Sequence, residues 1–183
     1  STSQTYLESF APLLRDLIQQ RDVELHVISD REPDLPGVSV HWHQWSPETE
    51  IADLARFDIG IMPMPDDQWS RGKCSMKALL YMAMGIPTIC SAVGMNREVL
   101  QHGENGLLAS TDEEWLHCLK TLIDDVALRK RLGDAGRKTI EERYSMQRCA
   151  ALFANVIRDV VSKPDMQVVN KKWFLLKSKN NAQ

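Results

Sequence analysis

The sequence predicts a doubly wound, Rossmann-like α/β fold, in which helices cover both faces of a parallel sheet. Short runs rich in Val, Leu and Ile alternate along the chain with longer segments in which apolar residues recur at helical spacing. The connections between these elements are short. Alternating strands and helices joined in this way are typical of a parallel sheet.

The predicted elements follow from local patterns. The Met-rich run before Gly85 has helical composition and ends at a glycine with Pro87 just beyond it. Thr111 and Glu114 form a capping-box pattern at the start of a later helix. Strands are predicted at 22–29, 38–43, 58–63, 88–90 and 106–109, and helices at 7–18, 47–55, 76–84, 94–100, 111–123, 127–143 and 145–161.

The chain of 183 residues is long enough for one domain with a sizeable core. We expect that domain at 1–161. The tail at 162–183 carries five lysines and one aspartate around Trp173, which favours a loosely packed terminus; docking on a partner domain or a membrane surface is the alternative. Because such sheets usually begin with a strand and this chain begins with a helix, we expect a first strand, and further sequence, in a longer protein.

Composition and charge limit the classes of function. The content of 43% hydrophobic and 26% charged residues is that of an ordinary globular protein, and a net charge of −3 argues against a nucleic-acid partner. The four cysteines are too far apart for a zinc site or a dense disulfide framework, and no signal peptide is visible. We therefore expect a cytoplasmic protein, with peripheral membrane association left open.

Three loops should meet beyond the carboxyl ends of the strands, where ligands bind in open α/β sheets. They lie at 44–46, 63–75 and 91–96. In the second loop, Arg71 and Lys73 come just before a helix, and Lys77 lies one turn into it. Free N–H groups, the helix dipole and these cations suit a diphosphate. The alternative is that the cations are solvated loop charges.

The same region carries a family resemblance. The segments DIGIMP (58–63), WSRGKC (69–74), YMAMGIPTI (81–89), VGMNRE (93–98) and HGENGLL (102–108) occur in this order. Together they resemble the C-terminal domain of the group 1 glycosyltransferases, retaining enzymes of the GT-B architecture. The resemblance runs from about Tyr6 to Val161, and the ordered succession is more specific than any one segment.

The resemblance implies a set of donor-binding residues. It places the second loop and the following helix against the phosphates and sugar, 93–94 against the nucleoside, and the backbone near Trp45 at the base edge. Glu98 matches the acidic residue of a Gly-Gly-x-x-Glu segment. The expected residues are Trp45, Ser46, Arg71, Lys73, Cys74, Ser75, Met76, Lys77, Val93, Gly94, Asn96 and Glu98.

The sequence departs from the family at two positions. Many members carry two glutamates eight positions apart, near the donor sugar and on the ribose hydroxyls, and here these positions are Gly72 and Leu80. A leucine cannot accept a hydroxyl hydrogen bond. Ribose contact must come from elsewhere, for example Glu98, or donor binding is weakened.

The function implied is transfer of a sugar, with retention, from a nucleoside-diphosphate sugar to an acceptor held by a missing N-terminal domain. Cations and helix-end amides would stabilise the leaving diphosphate, with no cofactor and no metal. No catalytic residue is identified, and the isolated domain is expected to be inactive. The alternatives are a non-catalytic nucleotide-binding or interaction module, and a hydrolase or epimerase of the same architecture.

The sequence contains other polar residues that are candidate sites. His26, His41 and His43 alternate on predicted strands, which suggests a metal site or proton relay, although ordinary strand surface is favoured. Asp66 and Asp67 are expected to be solvated turn residues rather than metal ligands. A structural role is expected for His102, and a core or cavity-wall role for Met62, Met64, Met82 and Met84.

Overall fold

The computed structural model describes residues 2–162, which form two compact units divided between Tyr144 and Ser145. Within the described residues, no helix is both long and apolar enough to span a bilayer. The elements of the first unit are α1 (Thr2–Gln20), β1 (Leu25–Ser29), β2 (Val40–Gln44), α2 (Glu50–Leu54), β3 (Gly60–Met62), α3 (Gln68–Arg71), α4 (Met76–Ala83), β4 (Thr88–Ser91), α5 (Asn96–Val99), β5 (Leu107–Ala109), α6 (Asp112–Asp124), α7 (Val126–Thr139) and a π-helical turn (Ile140–Tyr144); α8 (Met146–Ser162) belongs to the second.

All the strand pairs are parallel, which confirms the predicted α/β class. Strand β1 pairs with β2, and β3, β4 and β5 pair in that order. Within the described residues, the strands therefore form two hydrogen-bonded sets, the first of β1 and β2 and the second of β3, β4 and β5. A single sheet was expected. A cavity lined by residues of both β1 and β3 lies between the two sets.

Both faces of the second set are covered. Ile89 and Cys90 are neighbours on β4, both are fully buried, and they belong to different apolar clusters. Because successive side chains of a strand point to opposite faces, each face packs against its own layer. Burial on both faces is what a doubly wound sheet requires.

The layer on one face is built by α1 and α6. The predicted apolar stripe of α1 is buried, and the rings of Phe10 and Trp115 meet edge to face with centroids 4.8 Å apart. The buried members of this stripe are Phe10, Leu13, Leu14 and Leu17. The layer on the other face comes from α4 and α5, with Ala78, Met82 and Val99 fully buried.

The local patterns are largely confirmed, with two corrections. Thr111 caps α6 by accepting from the Glu114 N–H, as the capping-box pattern predicts. The segment predicted as one loop at 63–75 contains the short helix α3, which Asp67 caps by accepting from the Ser70 N–H. The helix predicted at 127–143 is α-helical only to Thr139.

The domain boundaries at 1–161 and 162–183 stay a prediction. The tail beyond Ser162, with its aromatic and lysine residues, lies outside the described residues.

The turn after α4 is held by a close backbone contact. A Cβ added to Gly133 of α7 would lie 2.1 Å from the carbonyl oxygen of Gly85, so only glycine allows this approach. We expect Gly133→Ala to lower the free energy of unfolding by about 1–3 kcal/mol, because the backbone must shift to admit a methyl group. Urea unfolding measures it.

The matched control is Gly72→Ala, whose Cβ would lie an ordinary 3.5 Å from the nearest carbonyl oxygen. It should stay within about 0.5 kcal/mol of the parent chain. Equal urea unfolding midpoints for Gly133→Ala and Gly72→Ala would show that the contact between α7 and the turn does not constrain the fold.

Candidate functional site

A cavity of about 860 Å³ opens where β1, β3 and α4 meet. This volume exceeds what a single metal ion needs and is in the range of small-molecule pockets. The predicted residues that line it are Trp45, Lys73, Cys74, Ser75, Met76 and Lys77. The start of α4 and the residues just before it therefore lie at a common cavity, as the sequence predicts.

Two lysines, Lys73 and Lys77, line the cavity near the start of α4, and Asp30 and Glu50 also line it. The ammonium of Lys73 lies 4.6 Å from the centroid of the Tyr6 ring, a cation–π distance, and the Tyr6 hydroxyl lies 3.4 Å from the hydroxyl of Ser70. Helix α1 thus helps to orient the lysine through Tyr6.

The second lysine, Lys77, is on the first turn of α4. The residue as a whole is exposed, although neighbouring protein atoms exclude part of the water from its amine. This burial, together with the charge of Lys73, lowers the pKa of Lys77 from its usual 10.5. An anion between the two lysines would relieve both effects.

The start of α4 has an unusual backbone. Ser75 adopts φ 57° and ψ 27°, the left-handed region that is uncommon for any residue but glycine, and it is 1% exposed. Its hydroxyl does not cap the helix; instead it donates to the Oδ1 of Asn96 at 2.6 Å. The first N–H groups of α4 therefore have no cap from this side chain.

Asn96 connects Ser75 to strand β4. It is fully buried, and its Nδ2 donates to the carbonyl of Ser91 at 2.8 Å. The hydroxyl of Ser91 in turn accepts from the N–H of Met64, which follows β3. These hydrogen bonds tie together the residues that follow β3 and β4 and the start of α4. Asn96 was expected to bind the donor; the structure places it beneath the cavity rim, where it orients the loop.

Arg71 is turned away from the cavity lining. Its Nε donates to Asp66 at 2.6 Å, and both side chains are exposed. The hydrogen bond from Arg71 lowers the pKa of Asp66, and the Asp66 carboxylate raises the pKa of Arg71. Asp66 and Asp67 are both exposed in the bend before α3, as expected of solvated turn residues; in addition, Asp66 pairs with Arg71 and Asp67 caps α3.

The remaining predicted residues, Ser46, Val93, Gly94 and Glu98, do not line the cavity. Gly94 has φ 50°, and a Cβ there would lie 2.7 Å from the carbonyl oxygen of Arg71, so it sets the path of the loop before α4. Val93 is buried, and Glu98 is exposed on α5. Ser46 hydrogen-bonds to Glu48, which lowers the pKa of that carboxyl.

The opposite wall of the cavity carries Trp45. The indole N–H donates to Glu50 at 2.9 Å, and both residues line the cavity. Leu80 also lines it, so the position at which many family members have a carboxylate is apolar here. Tyr81 lies behind it against Gly60, and burial raises the pKa of Tyr81 to about 12.

Sequence reasoning missed several polar or aromatic residues of the lining, among them Tyr6, Asp30, Glu50 and Trp69. Tyr6 and Glu50 are on helices whose apolar stripes alone were interpreted. Asp30 directly follows β1, and its position at the carboxyl end of a strand is enough to predict a place in the ligand site.

The structural roles expected of His102 and the methionines are supported by contacts. The Nδ1 of His102 lies 3.1 Å from the N–H of Leu108 and closes the turn before β5. Met62 and Met82 are buried, Met64 lines the cavity, and Met84 is partly buried. Met76 is exposed at the cavity, which sets it apart from the others.

Comparison with known proteins gives a consistent family. The profile of the family described as "Glycosyl transferases group 1" matches residues 3–125. The MMP alpha-(1->4)-mannosyltransferase of Mycolicibacterium hassiacum is 29% identical over 160 residues, covering 79% of this chain and 37% of that protein.

Two solved structures share the fold. HepE from Anabaena, in complex with UDP and glucose, superposes with a TM-score of 0.64 at 15% identity, over 81% of this chain and 44% of that chain. The C-terminal domain of a group 1 family glycosyl transferase from Francisella tularensis gives a TM-score of 0.50 at 22% identity, over 59% of this chain and 55% of that chain. The present chain spans less than half the length of the mannosyltransferase and of HepE.

The hydrogen bonds of Asn96 give a test of the loop architecture. We expect Asn96→Ala to lower the free energy of unfolding by about 1–3 kcal/mol, because the buried hydroxyl of Ser75 and the carbonyl of Ser91 lose their partner. Urea unfolding followed by circular dichroism measures this change.

The control is Asn155→Ala, on exposed α8, which should change the unfolding free energy by less than about 0.5 kcal/mol. If Asn96→Ala were equally neutral, the left-handed start of α4 would not depend on this side chain.

Proposed function

The chain belongs to the group 1 glycosyltransferases, and we propose that it is the part of such an enzyme that binds a nucleoside-diphosphate sugar. The observation that carries the proposal is the pair Lys73 and Lys77 beside the uncapped start of α4, at a cavity of about 860 Å³. Two ammonium groups and free helix N–H groups favour a diphosphate. HepE, which shares the fold, binds UDP and glucose.

The proposed reaction is transfer of the sugar to an acceptor, with retention of configuration. Negative charge builds on the diphosphate as the glycosidic bond breaks, and Lys73 and Lys77 would stabilise it. The mannosyltransferase and HepE are both more than twice as long as their matched parts. This difference supports an acceptor-binding domain elsewhere in the protein, and we expect the chain alone to bind nucleotide without turnover.

The nucleoside would lie along the wall formed by Trp45 and Glu50. A carboxylate accepts hydrogen bonds from ribose hydroxyls, and Leu80 cannot. Glu50 lines the cavity, whereas Glu98 does not, so Glu50 takes the place that the sequence suggested for Glu98.

A second candidate function is a nucleotide-binding or interaction module without catalysis. Leu80 in the cavity lining favours it, because the family's usual ribose contact is lost. Titration calorimetry with UDP, GDP and ADP tests this: millimolar or no binding to all three supports an interaction module over a donor-binding domain.

The cytoplasmic setting, the lack of a cofactor and a metal in the donor site, and peripheral membrane association stay proposals. The lysines and aromatics that suggest membrane contact lie outside the described residues.

The two lysines of the cavity give the first functional test. We expect Lys73→Ala and Lys77→Ala each to weaken nucleoside-diphosphate binding by about 1.5–3 kcal/mol, because each removes a charge-assisted contact. This corresponds to roughly 10- to 150-fold in Kd. Calorimetric titration of the 183-residue chain with the diphosphate that binds best measures it.

Two further variants are matched controls. Arg71→Ala removes a cation that is paired with Asp66, and Lys130→Ala removes an exposed lysine paired with Asp134. Lys130→Ala should leave the Kd unchanged, and Arg71→Ala should weaken binding less than either cavity lysine. The proposed site is wrong if both cavity variants bind as tightly as Lys130→Ala.

The lowered pKa of Lys77 gives a pH dependence. A bound diphosphate stabilises the protonated amine of Lys77 and raises its pKa. Binding therefore takes up a proton once the pH exceeds the pKa that Lys77 has in the ligand-free protein. Affinity should therefore fall as pH rises from that lowered pKa towards 10.5.

The comparison chain is Lys77→Arg, which keeps its charge over this range. Its affinity should fall less than that of the parent chain when Kd is measured from neutral pH to 10.5. Parallel profiles would contradict a role for Lys77 in holding the phosphates.

A further inference from the structure

Three histidines meet on one face of the β1–β2 pair. His26 is opposite His41 in the parallel register, and Ile28 is opposite His43. Because residues two apart share a face, all three imidazoles project to the same side. The ring of His26 stacks on both neighbours, with centroids 4.8 Å from His41 and 5.2 Å from His43.

Glu24 completes the cluster just before β1. Its carboxylate lies 3.1 Å from the Nε2 of His26 and 3.8 Å from the Nε2 of His41. One ligand atom from each of these three residues lies within 4.8 Å of the other two.

His43 holds the ring of His26 from the other side. The Nδ1 of His26 lies 2.9 Å from the Nε2 of His43. When the Nδ1–H donates across this contact, the Nε2 of His26 carries a lone pair directed toward Glu24. With the proton on Nε2 instead, the same 3.1 Å contact is an ordinary hydrogen bond to Glu24, and a metal ion can take the place of that proton. Imidazole ligands of metal ions commonly have their second nitrogen fixed by such a hydrogen bond.

We propose that Glu24, His26 and His41 bind a divalent transition-metal ion of the zinc class, with His43 as a positioning residue. Two imidazoles and one carboxylate are a common ligand set for such ions, and a water would fill the fourth position. The exposed side chains of Glu24 and His41 leave room for it. The ligands do not include the lysines at the start of α4, although His26 lines the same cavity.

The geometry requires only a small rearrangement. Ligands at about 2.0–2.2 Å from one ion lie roughly 3–4 Å from each other, and the two measured nitrogen–oxygen distances are in this range. The ring planes of His26 and His41 are 17° from parallel, so the rings must rotate to bring both Nε2 atoms to one ion. This movement needs side-chain rotation on two hydrogen-bonded strands.

The inference does not depend on the proposed sugar-donor site, and it departs from the expectation that these histidines form ordinary strand surface. It is tested by titrating Zn²⁺ into the reduced, metal-free 183-residue chain. One ion should bind per chain. His43→Ala removes the hydrogen-bond partner of His26 and should weaken Zn²⁺ binding about 10- to 100-fold. His43→Gln retains an acceptor and should restore part of the affinity.

The ligand variants His41→Ala and Glu24→Gln should weaken binding more than His43→Ala does. His117→Ala, which removes an exposed histidine of α6, should bind Zn²⁺ like the parent chain. Circular dichroism of each metal-free variant verifies that it is folded. Binding that is absent in the parent chain, or unchanged in both ligand variants, overturns the proposal.

Cobalt substitution identifies the ligand atoms. Cys74 and Cys149 are exposed thiols and are the competing ligands in this chain. A site of imidazole and carboxylate shows visible Co²⁺ bands without the near-ultraviolet charge-transfer band of a thiolate. A thiolate band that persists in His41→Ala would place the ion on cysteine and overturn the proposal.

Discussion

The candidate site depends on the buried hydrogen bond between Ser75 and Asn96. A left-handed serine costs free energy, on the order of 1–3 kcal/mol for a residue in such a region, and it persists because Asn96 fixes its hydroxyl. Asn96 is itself held by Ser91 of β4. The turn of the chain into α4, and with it the direction of the first free N–H groups, is therefore set by the interior of the protein.

The electrostatics of the cavity follow from this arrangement. Lys73 and Lys77 lie close enough for the charge of one to lower the pKa of the other. Such repulsion is unfavourable, and an anion bound beside both ammonium groups would offset it, so part of the affinity of the proposed diphosphate site would come from relief of a cost already present. Arg71 does not add to this repulsion, because Asp66 neutralises it.

The β1–β2 pair shows how register assembles a site that spacing alone leaves undecided. His41 and His43 share a face in any strand, but the contact with His26 exists only because β1 and β2 run parallel with His26 opposite His41. A shift by one residue would turn His26 to the other face. The sequence pattern was compatible both with a solvated strand surface and with a cluster, and pairing decided between them.

The sequence by itself determined the order of strands and helices, the parallel class, the apolar stripe of α1 and the cap at Thr111, because each depends on periodicity or on neighbouring residues. It also placed Lys73 and Lys77 near the start of one helix. Tertiary structure decided that Arg71 pairs with Asp66, that Asn96 is buried beneath the rim, and that Tyr6 and Glu50 join the cavity. These outcomes depend on contacts between residues distant in sequence or on side-chain direction, which the linear pattern does not encode.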